Sequence, residues 1–329
     1  MPLSLRIDPW SPEYESSLQF GEDADRQLPR VDPFVERHEG DWAPVPGREG
    51  ERPDPIAFVD GVQHVVARVV AQEGEAVAWG LLASVAVGTA YCRSDGATVT
   101  AEPPLRVLAL SDGVSGGPFG LQSGQLRLEF AVTSGSRPGY EGAHEALGGF
   151  RNDHEEKLAR RLGEDGLPLI VVDGRLRGQM ASSAHGGSPT VGLVKTHHVR
   201  YLPDPLWAML ENLPAGQRTP LFLIEQRVPL YSWYLRLGER RPIEHGLAGV
   251  VRLETVASAG HDEAVRLADL TAAHLPSFAS TAPWDPRAPQ NLFPLSALER
   301  RLRHELGDPL WIRRAVETHL AGLTAGGAP

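Results

Sequence analysis

Two apolar runs, far apart in the chain, both end in Asp-Gly. The first, PIAFVDG, occupies residues 55–61, and the second, PLIVVDG, occupies residues 168–174. Runs that are apolar at every position predict strands buried on both faces, as in parallel sheets covered by helices. In such sheets the ligand site lies beyond the carboxyl ends of the strands. We therefore expect Asp60 and Asp173 to end neighbouring strands and to lie close together.

Other apolar runs alternate with amphipathic segments. The runs predict strands at 56–60, 64–70, 78–91, 105–110, 125–132, 169–173, 190–195, 219–226 and 249–257. Helical spacing of apolar residues predicts helices at 203–214, 261–275, 294–308 and 308–323. One more helix is expected to begin at Asn152 or Asp153 as its N-cap and to end near Gly163. Strands that alternate with helices indicate an α/β fold with a mixed sheet.

The chain of 329 residues is 41% hydrophobic, which is enough to bury a core. Residues 1–53 are rich in Pro, Asp, Glu and Arg and predict an extended N-terminal arm with at most one short helix, whereas residues 54–324 form the folded domain. A single cysteine, Cys92, excludes a disulfide framework and a Cys-rich zinc site. No long apolar run and no signal peptide is apparent, so we expect a cytoplasmic protein that is not in a membrane.

The expected pair of aspartates has a definite chemistry. Two carboxylates in contact repel each other unless a proton or a cation lies between them. Hard oxygen ligands suit Mg²⁺ or Mn²⁺, and pairs of such ions promote in-line attack on phosphodiesters. The net charge of −10 argues against a general nucleic-acid binder but not against a nuclease whose carboxylates hold metal ions. Asp-Gly is also a common turn pair, and these residues alone leave both interpretations open.

A series of short motifs in a particular order is more informative than any one of the motifs. AFVDG, IVVDGRL, GLVK, PLYSWYLRL, VVRLET and DPRAPQNLFPLSALERRLRHELGD follow one another between about residues 55 and 315. In this order they resemble the NurA family of nucleases, which work with the HerA translocase in DNA end resection and repair. The resemblance implies a ribonuclease-H-like fold, dependence on Mn²⁺ or Mg²⁺, DNA as the substrate, a homodimer and a HerA-like hexameric ATPase as the partner.

The resemblance also assigns roles to acidic residues. Asp60 and Asp173 match the two metal-binding aspartates of the family. The family places a glutamate on the helix before the second aspartate, and here Glu155 and Glu156 are available. We favour Glu155, because it shares the inward stripe of leucines on that helix. On the residues alone, both acids also fit a solvated first helical turn.

Lys195, in VGLVKTHH, matches a family lysine at the end of a strand. Its ammonium group could hold a phosphate oxygen or the attacking water, although a surface lysine would have the same pattern. Because neighbouring strand residues point to opposite faces, at most one of His197 and His198 can face the site.

The segment PLYSWYLRL corresponds to a family region near DNA, so Tyr231, Tyr234 and Arg236 are candidate DNA contacts. Tyrosines can stack on bases and arginines can bind phosphates. The aromatic residues could instead belong to the core.

One segment departs from the family. Archaeal-type members carry a metal-binding His where this chain reads APQNLFPLSALE. Asn291 or Glu299 could supply an oxygen ligand instead, and His304 is expected at the surface. The missing His leaves open the alternative of a non-catalytic adaptor of a HerA-like ring.

Two other enzyme classes are disfavoured. GVSGG at 113–117 fits the nucleophile elbow of serine hydrolases, but the residues after it do not predict the helix that this motif needs. The chain contains no P-loop, so ATP hydrolysis would fall to a partner.

Overall fold

The computed structural model describes residues 4–7, 29–48, 50–114, 116–117, 119–123, 126–176 and 188–325. The strands in these ranges are β1 (Ser4–Ile7), β2 (Arg30–Asp32), β3 (Val45–Pro46), β4 (Ile56–Glu73), β5 (Ala76–Cys92), β6 (Ala97–Ala101), β7 (Leu105–Leu110), β8 (Phe119–Ser123), β9 (Leu126–Ser134), β10 (Leu169–Asp173), β11 (Thr190–Val194), β12 (Gln217–Arg218), β13 (Phe222–Glu225), β14 (Leu230–Arg236) and β15 (Val250–Val256). The α-helices are α1 (Gly139–Glu164), α2 (Asp204–Met209), α3 (His261–His274), α4 (Phe293–Glu305) and α5 (Pro309–Ala325). Of these helices, none combines the length and the apolar character that crossing a membrane requires.

The strands join in one large mixed sheet with the order β2-β13-β14-β15-β11-β10-β4-β5-β7-β9-β8. At its centre, β5 runs antiparallel to both of its neighbours, β4 and β7, while β10 runs parallel to β4 and β11 runs parallel to β10. The helix α1 leads into β10. Strand order 7-5-4-10-11 with these directions is the arrangement of a ribonuclease-H-like core, so the predicted fold class is confirmed.

Helices cover both faces of the central strands. On one face, α1 packs against the alternate residues Ala57, Val59, Ile170 and Val172. On the other face, α3 and α4 cover Ile56, Phe58, Val171 and Leu193. Strand alternation explains this division, because successive side chains point to opposite faces. Both faces of β10 are therefore buried, as its unbroken apolar sequence predicts.

The strand β4 is longer than predicted. The sequence indicated two strands, 56–60 and 64–70, separated at Asp60-Gly61, but β4 continues without interruption from Ile56 to Glu73. It pairs along its whole length with β5, and the irregularity falls at a bulge between Val65 and Ala67. A bulge adds a residue without ending the pairing, so the Asp-Gly pair does not form a turn here.

The helix α1 also begins much earlier than predicted. Pro138 lies at its N-cap, and Asn152 and Asp153 lie within the helix, so the predicted N-cap is wrong. The added segment, GYEGAHEALGG, is rich in glycine and has poor intrinsic helix propensity. Its alanines and Leu147 are buried against β5 and β7, and this packing overrides the propensity. The other four helices lie where the sequence places them.

The described part of the arm is integrated into the sheet. The strand β1 pairs with β4, β2 pairs with β13, and β3 pairs with β12. Glu36 forms two hydrogen bonds of 2.8 Å with Arg218, whose side chain is only 1% exposed. Asp269 of α3 also contacts Arg218, and Trp42 is buried in a cluster with Trp207, Phe222 and Tyr234. These contacts fasten the arm to the rest of the fold.

Candidate active site

Asp60 and Asp173 lie side by side on neighbouring parallel strands. Val172 is the register partner of Val59, and each aspartate is the next residue along its strand. Asp173 ends β10, and Gly174 turns the chain with a φ of 111°. Asp60 lies inside β4, so the prediction that it ends a strand is wrong. It is half-buried, beside the point at which β10 ends.

Asp60, Asp173 and Lys195 project from the same face of the sheet. The residues two positions before each of them pack together in one cluster: Phe58, Val171 and Leu193. Because side chains two apart on a strand share a face, all three polar groups extend from the end of that cluster. Lys195 directly follows β11, which is the strand next to β10.

Lys195 bridges two of the predicted site residues. Its Nζ donates hydrogen bonds to Oδ2 of Asp173 at 2.5 Å and to Oδ1 of Asn291 at 3.0 Å. The side chains of Lys195 and Asp173 are each about four-fifths buried. A charge-assisted hydrogen bond in this setting is stronger than one between neutral groups. The ammonium group is therefore held in place beside the Asp173 carboxylate.

Glu155 reaches this region from the opposite face. It lies on the buried side of α1, whereas Glu156 is only half-buried. A Cβ atom built on Gly61 would stand 2.4 Å from Oε1 of Glu155. The glycine after Asp60 thus leaves the space that the Glu155 carboxylate occupies. Arg151, one turn earlier on α1, forms an ion pair with Glu155 at 3.1 Å.

The electrostatics of Asp60 are unfavourable for a lone carboxylate. Burial raises the pKa of Asp60 well above its usual value, and the charges of Asp173 and Glu155 raise it further. Lys195 and the hydrogen bond from the Gly61 N–H act in the opposite direction but are outweighed. Asp173 has Lys195 and Glu155 has Arg151 as an ion-pair partner. An additional cation would relieve the remaining repulsion at Asp60.

Asn291 is oriented by a buried acid that the sequence did not reveal as part of the site. Its Nδ2 donates hydrogen bonds to Oδ2 of Asp285 and to Oγ of Ser296, both at 2.7 Å. With its amide nitrogen engaged, its carbonyl oxygen points to Lys195. Burial raises the pKa of Asp285, but hydrogen bonds from Asn291, the Arg287 N–H and Ser296 lower it by more. The net result is a pKa well below the usual range. Asp285 is therefore an ionised acceptor.

The donor chemistry suits a hard divalent cation. Asp60, Glu155 and Asp173 supply carboxylate oxygens that influence one another, and oxygen ligands are what Mg²⁺ and Mn²⁺ prefer. Within the described ranges, however, no three Asp, Glu, His or Cys side chains are already spaced to hold one ion. The residues fit such a cation by their chemistry and location, and binding it requires side-chain rearrangement.

Of the three predicted DNA contacts, two are buried and one is partly accessible. Tyr234 is completely buried and stacks on Phe222. Arg236 is 2% exposed, and its guanidinium donates to the main-chain carbonyl groups of Leu210, Glu211, Leu213, Gly246 and Ala248. A DNA contact is therefore wrong for these two residues, whose role is structural. Tyr231 is half-buried beside His261 and still has accessible surface.

The remaining candidates lie outside the carboxylate group. His197 bonds to the Val250 carbonyl at 2.8 Å and packs against Trp207 and Tyr234, while His198 is exposed. Glu299 pairs with Arg287 and Arg303, and His304 is exposed as expected. Of the two alternatives for the missing family His, only Asn291 contacts a residue of the site.

Fold and site together describe an α/β protein with a ribonuclease-H-like core and an acidic cluster where β10 ends beside β4. No protein-family model matches the chain, and no curated protein matches it. Among solved structures, the chain is similar to the NurA nuclease from Sulfolobus solfataricus. The TM-score is 0.45 at 11% sequence identity, and the match covers 80% of this chain and 84% of that one. This is the family that the sequence motifs resemble.

Proposed function

We propose that this chain is a nuclease that hydrolyses phosphodiester bonds in DNA with the help of a divalent cation. The observation that carries the proposal is the position of Asp60 beside Asp173 at the end of β10, where burial and the charges of Asp173 and Glu155 raise the pKa of Asp60. A carboxylate cluster of this kind costs folding free energy, and a bound cation offsets that cost. The sequence resemblance to NurA nucleases points to the same chemistry.

In this proposal, Asp60, Glu155 and Asp173 hold Mn²⁺ or Mg²⁺. A bound ion of this kind supplies positive charge to the phosphate and lowers the pKa of coordinated water. Asn291 contributes an oxygen close to the same place. The ammonium group of Lys195 would leave Asp173 and so release that carboxylate for the cation.

Lys195 has a second task in the proposal. Its ammonium group binds a non-bridging oxygen of the scissile phosphate and offsets the charge that develops there. Asn291, fixed by Asp285 and Ser296, holds Lys195 at the correct side of the cluster. Tyr231 remains the candidate for contact with a nucleobase or a phosphate, because it keeps accessible surface.

The partners follow from charge and from the resemblance. A net charge of −10 gives weak long-range attraction for DNA, because affinity for the backbone comes mainly from Lys and Arg. A HerA-like hexameric ATPase that encircles DNA would raise the local substrate concentration and supply the motor. We further propose a homodimer, with residues 1–53 contributing to the dimer or to the contact with the ring.

Cleavage rates measured in Mn²⁺ test this proposal. The nuclease is assayed alone, with the ring and ATP, and with the ring and a non-hydrolysable ATP analogue. We expect slow cleavage alone and strong stimulation by the ring at low DNA concentration. Stimulation with ATP but not with the analogue indicates that threading matters more than tethering. If the isolated chain cuts as fast as the complex, delivery by the ring is wrong.

A non-catalytic adaptor of the ring is the second candidate. The observations that favour it are Asn291 at the place of the family His and the ion pair between Lys195 and Asp173. An adaptor would bind the ring and alter its ATPase rate without any Mn²⁺-dependent cleavage. The same set of assays, with ATP hydrolysis recorded in parallel, separates the two functions.

A further inference from the structure

A row of polar side chains interrupts an otherwise apolar stretch of the sheet. His64 on β4 is the register partner of Ser84 on β5, which in turn is the partner of Arg106 on β7. The row lies between two core clusters on the sheet face that also carries Asp60: Val62 and Ala86 on one side, and Ala67, Leu82 and Leu108 on the other. We call His64, Ser84 and Arg106 the polar seam.

The polar seam lies beneath the junction of two helices. The first cluster is covered by α4 and the second by α5, and residues 306–308 connect the helices. Nη2 of Arg106 is 3.6 Å from the position that a Cβ atom would take on Gly307. His64 is exposed at the other end of the row and Arg106 is half-buried, so both ends of the row reach solvent while Ser84 between them is buried.

Two donors of the seam have no partner in the described part of the chain. Nη1 of Arg106 and Oγ of Ser84 are both buried atoms without a hydrogen bond there, and the Ser84 side chain is 1% exposed. Burial lowers the pKa of Arg106, and no charged neighbour raises it again. Burial is the only influence found on the Arg106 guanidinium, and no described carboxylate acts on it. Unpaired buried donors of this kind cost folding free energy.

An anion with several acceptor oxygens would satisfy the seam. The guanidinium of Arg106 matches the geometry of phosphate oxygens, and the Ser84 hydroxyl and the His64 ring add further donors. His64 is four residues from Asp60 along the same strand, a distance of about 13 Å. Because α4 covers Val62 between the two sites, a nucleic-acid strand from the Asp60 site would pass around α4 and place a phosphate at His64, the exposed end of the seam.

We propose that the polar seam binds a phosphate group, and specifically a backbone phosphate of the strand that passes Asp60 and Asp173. The identity of the ligand as a strand of DNA rests on the proposed function, whereas the affinity for phosphate does not. The seam would fix the position of the strand relative to the carboxylates.

Two measurements that involve no cleavage test the proposal on the full chain. The first is thermal stability in inorganic phosphate against chloride at equal ionic strength. We compare the wild type with Arg106→Gln and with Arg127→Gln, a matched control that removes an exposed arginine paired with Glu129. Phosphate should raise the melting temperature of the wild type and the control but not that of Arg106→Gln.

The second measurement is the binding of fluorescent single-stranded DNA in EDTA over a range of salt concentrations. Loss of one phosphate contact should reduce the slope of log K against log salt by about 0.7 in Arg106→Gln and leave it unchanged in Arg127→Gln. If Arg106→Gln does not fold, Ser84→Ala takes its place, since its hydroxyl has no partner to lose.

The outcomes are distinct. Loss of both effects in the seam variant supports a phosphate site on the DNA path, even if the chain cuts nothing. Loss of the phosphate effect with an unchanged DNA slope keeps the anion site and overturns its role in DNA binding. Equal stabilisation of the wild type and Arg106→Gln by phosphate, or no stabilisation of the wild type, overturns the proposal.

Discussion

The carboxylate of Glu155 occupies the space that a side chain at residue 61 would fill. Its Oε1 is 2.4 Å from the position of a Cβ atom on Gly61, which directly follows Asp60 on β4. Gly61 has no positive φ, so its conformation alone does not require glycine. The absence of a side chain is what allows an acid from α1 to approach the strand that carries Asp60.

Substitution of Gly61 by Ala should therefore displace Glu155. We expect a loss of about 1–2 kcal/mol in the free energy of unfolding from overpacking, and at least tenfold slower Mn²⁺-dependent cleavage. Denaturant unfolding and a cleavage assay measure the two effects. Gly149→Ala is the control, because Gly149 is exposed on α1, the helix that carries Glu155, and no atom lies within 4 Å of an added Cβ. It should gain stability, by about 0.5–1 kcal/mol, and cut normally. Unchanged cleavage by Gly61→Ala would mean that cleavage does not require Glu155 in its present position.

The raised pKa of Asp60 predicts an unusual pH dependence. Below the pKa of the unfolded state, Asp60 is protonated in both the folded and the unfolded state and does not lower the free energy of unfolding. As the pH rises through the folded-state pKa, Asp60 becomes charged in the native state and destabilises it. Asp60→Asn should therefore melt a few degrees higher than the wild type at pH 7, and the difference should shrink as the pH falls toward 4. Asp173→Asn, which removes the partner of Lys195, should melt lower at pH 7. If Asp60→Asn also melts lower at pH 7, the attraction of Asp60 to Lys195 outweighs its repulsion by the other two carboxylates.

The sequence predicted the pairing of Asp60 with Asp173 but not the way in which it arises. The apolar run before Asp173 indicated a buried parallel strand, and β10 is one. The similar run before Asp60 suggested a strand end, but the hydrogen bonds of β5 carry β4 onward, and no local pattern encodes that partner. Gly174 turns the chain, whereas Gly61 only leaves space, so the same dipeptide serves two different purposes.

Other parts of the site depended on contacts between distant segments. The sequence placed Lys195 at the end of a strand and offered Asn291 for the missing His. It did not reveal that Asp285 orients Asn291, since a Pro-rich loop gives no periodic signal for a buried acid. Tyr234 and Arg236 were candidate DNA contacts, but β14 is covered on both faces, and Arg236 instead donates hydrogen bonds to loop carbonyl groups.

The buried ion pair between Glu36 and Arg218 should fasten the N-terminal arm. Burial raises the pKa of Glu36, but the hydrogen bond and charge of Arg218 lower it more, so its contribution to stability is present above the unfolded pKa and lost as the pH falls. Glu36→Ala should lower the free energy of unfolding by about 3 kcal/mol, because Arg218 stays buried with one acid fewer. Glu129→Ala, which breaks an exposed pair with Arg127, should change it by less than about 1 kcal/mol. Urea unfolding at pH 7 measures both changes in the free energy of unfolding. Equal effects of the two variants would argue against the ion pair of Glu36 and Arg218 as what fastens the arm.

Variants of Asn291 and Ser296 distinguish the contact with Lys195, which should affect kcat, from the contacts with Asp285, which should affect stability. Asn291→Ala removes a donor to Asp285 and also an acceptor for Lys195, so it should lose about 2 kcal/mol of stability and at least tenfold in kcat. Ser296→Ala removes a donor to Asp285 and has no bond to Lys195. It should lose comparable stability but cut nearly as fast as the wild type. Equal kcat values for the two variants at a temperature where both are folded would remove Asn291 from the proposed mechanism.

Mn²⁺ binding and DNA cleavage, measured side by side, give the most direct test of the central claim that Asp60 and Asp173 hold a catalytic cation. The wild type is compared with Asp60→Ala and Asp173→Ala, and with Asp153→Ala as a control that removes an exposed acid on α1. We predict that the wild type and the control bind Mn²⁺, seen as loss of the free-ion electron paramagnetic resonance signal, and cleave DNA. The two site variants should lose binding and fall about 10³-fold or more in rate while remaining folded. Cleavage at the wild-type rate by either site variant, or a wild type that binds no Mn²⁺, would contradict the account.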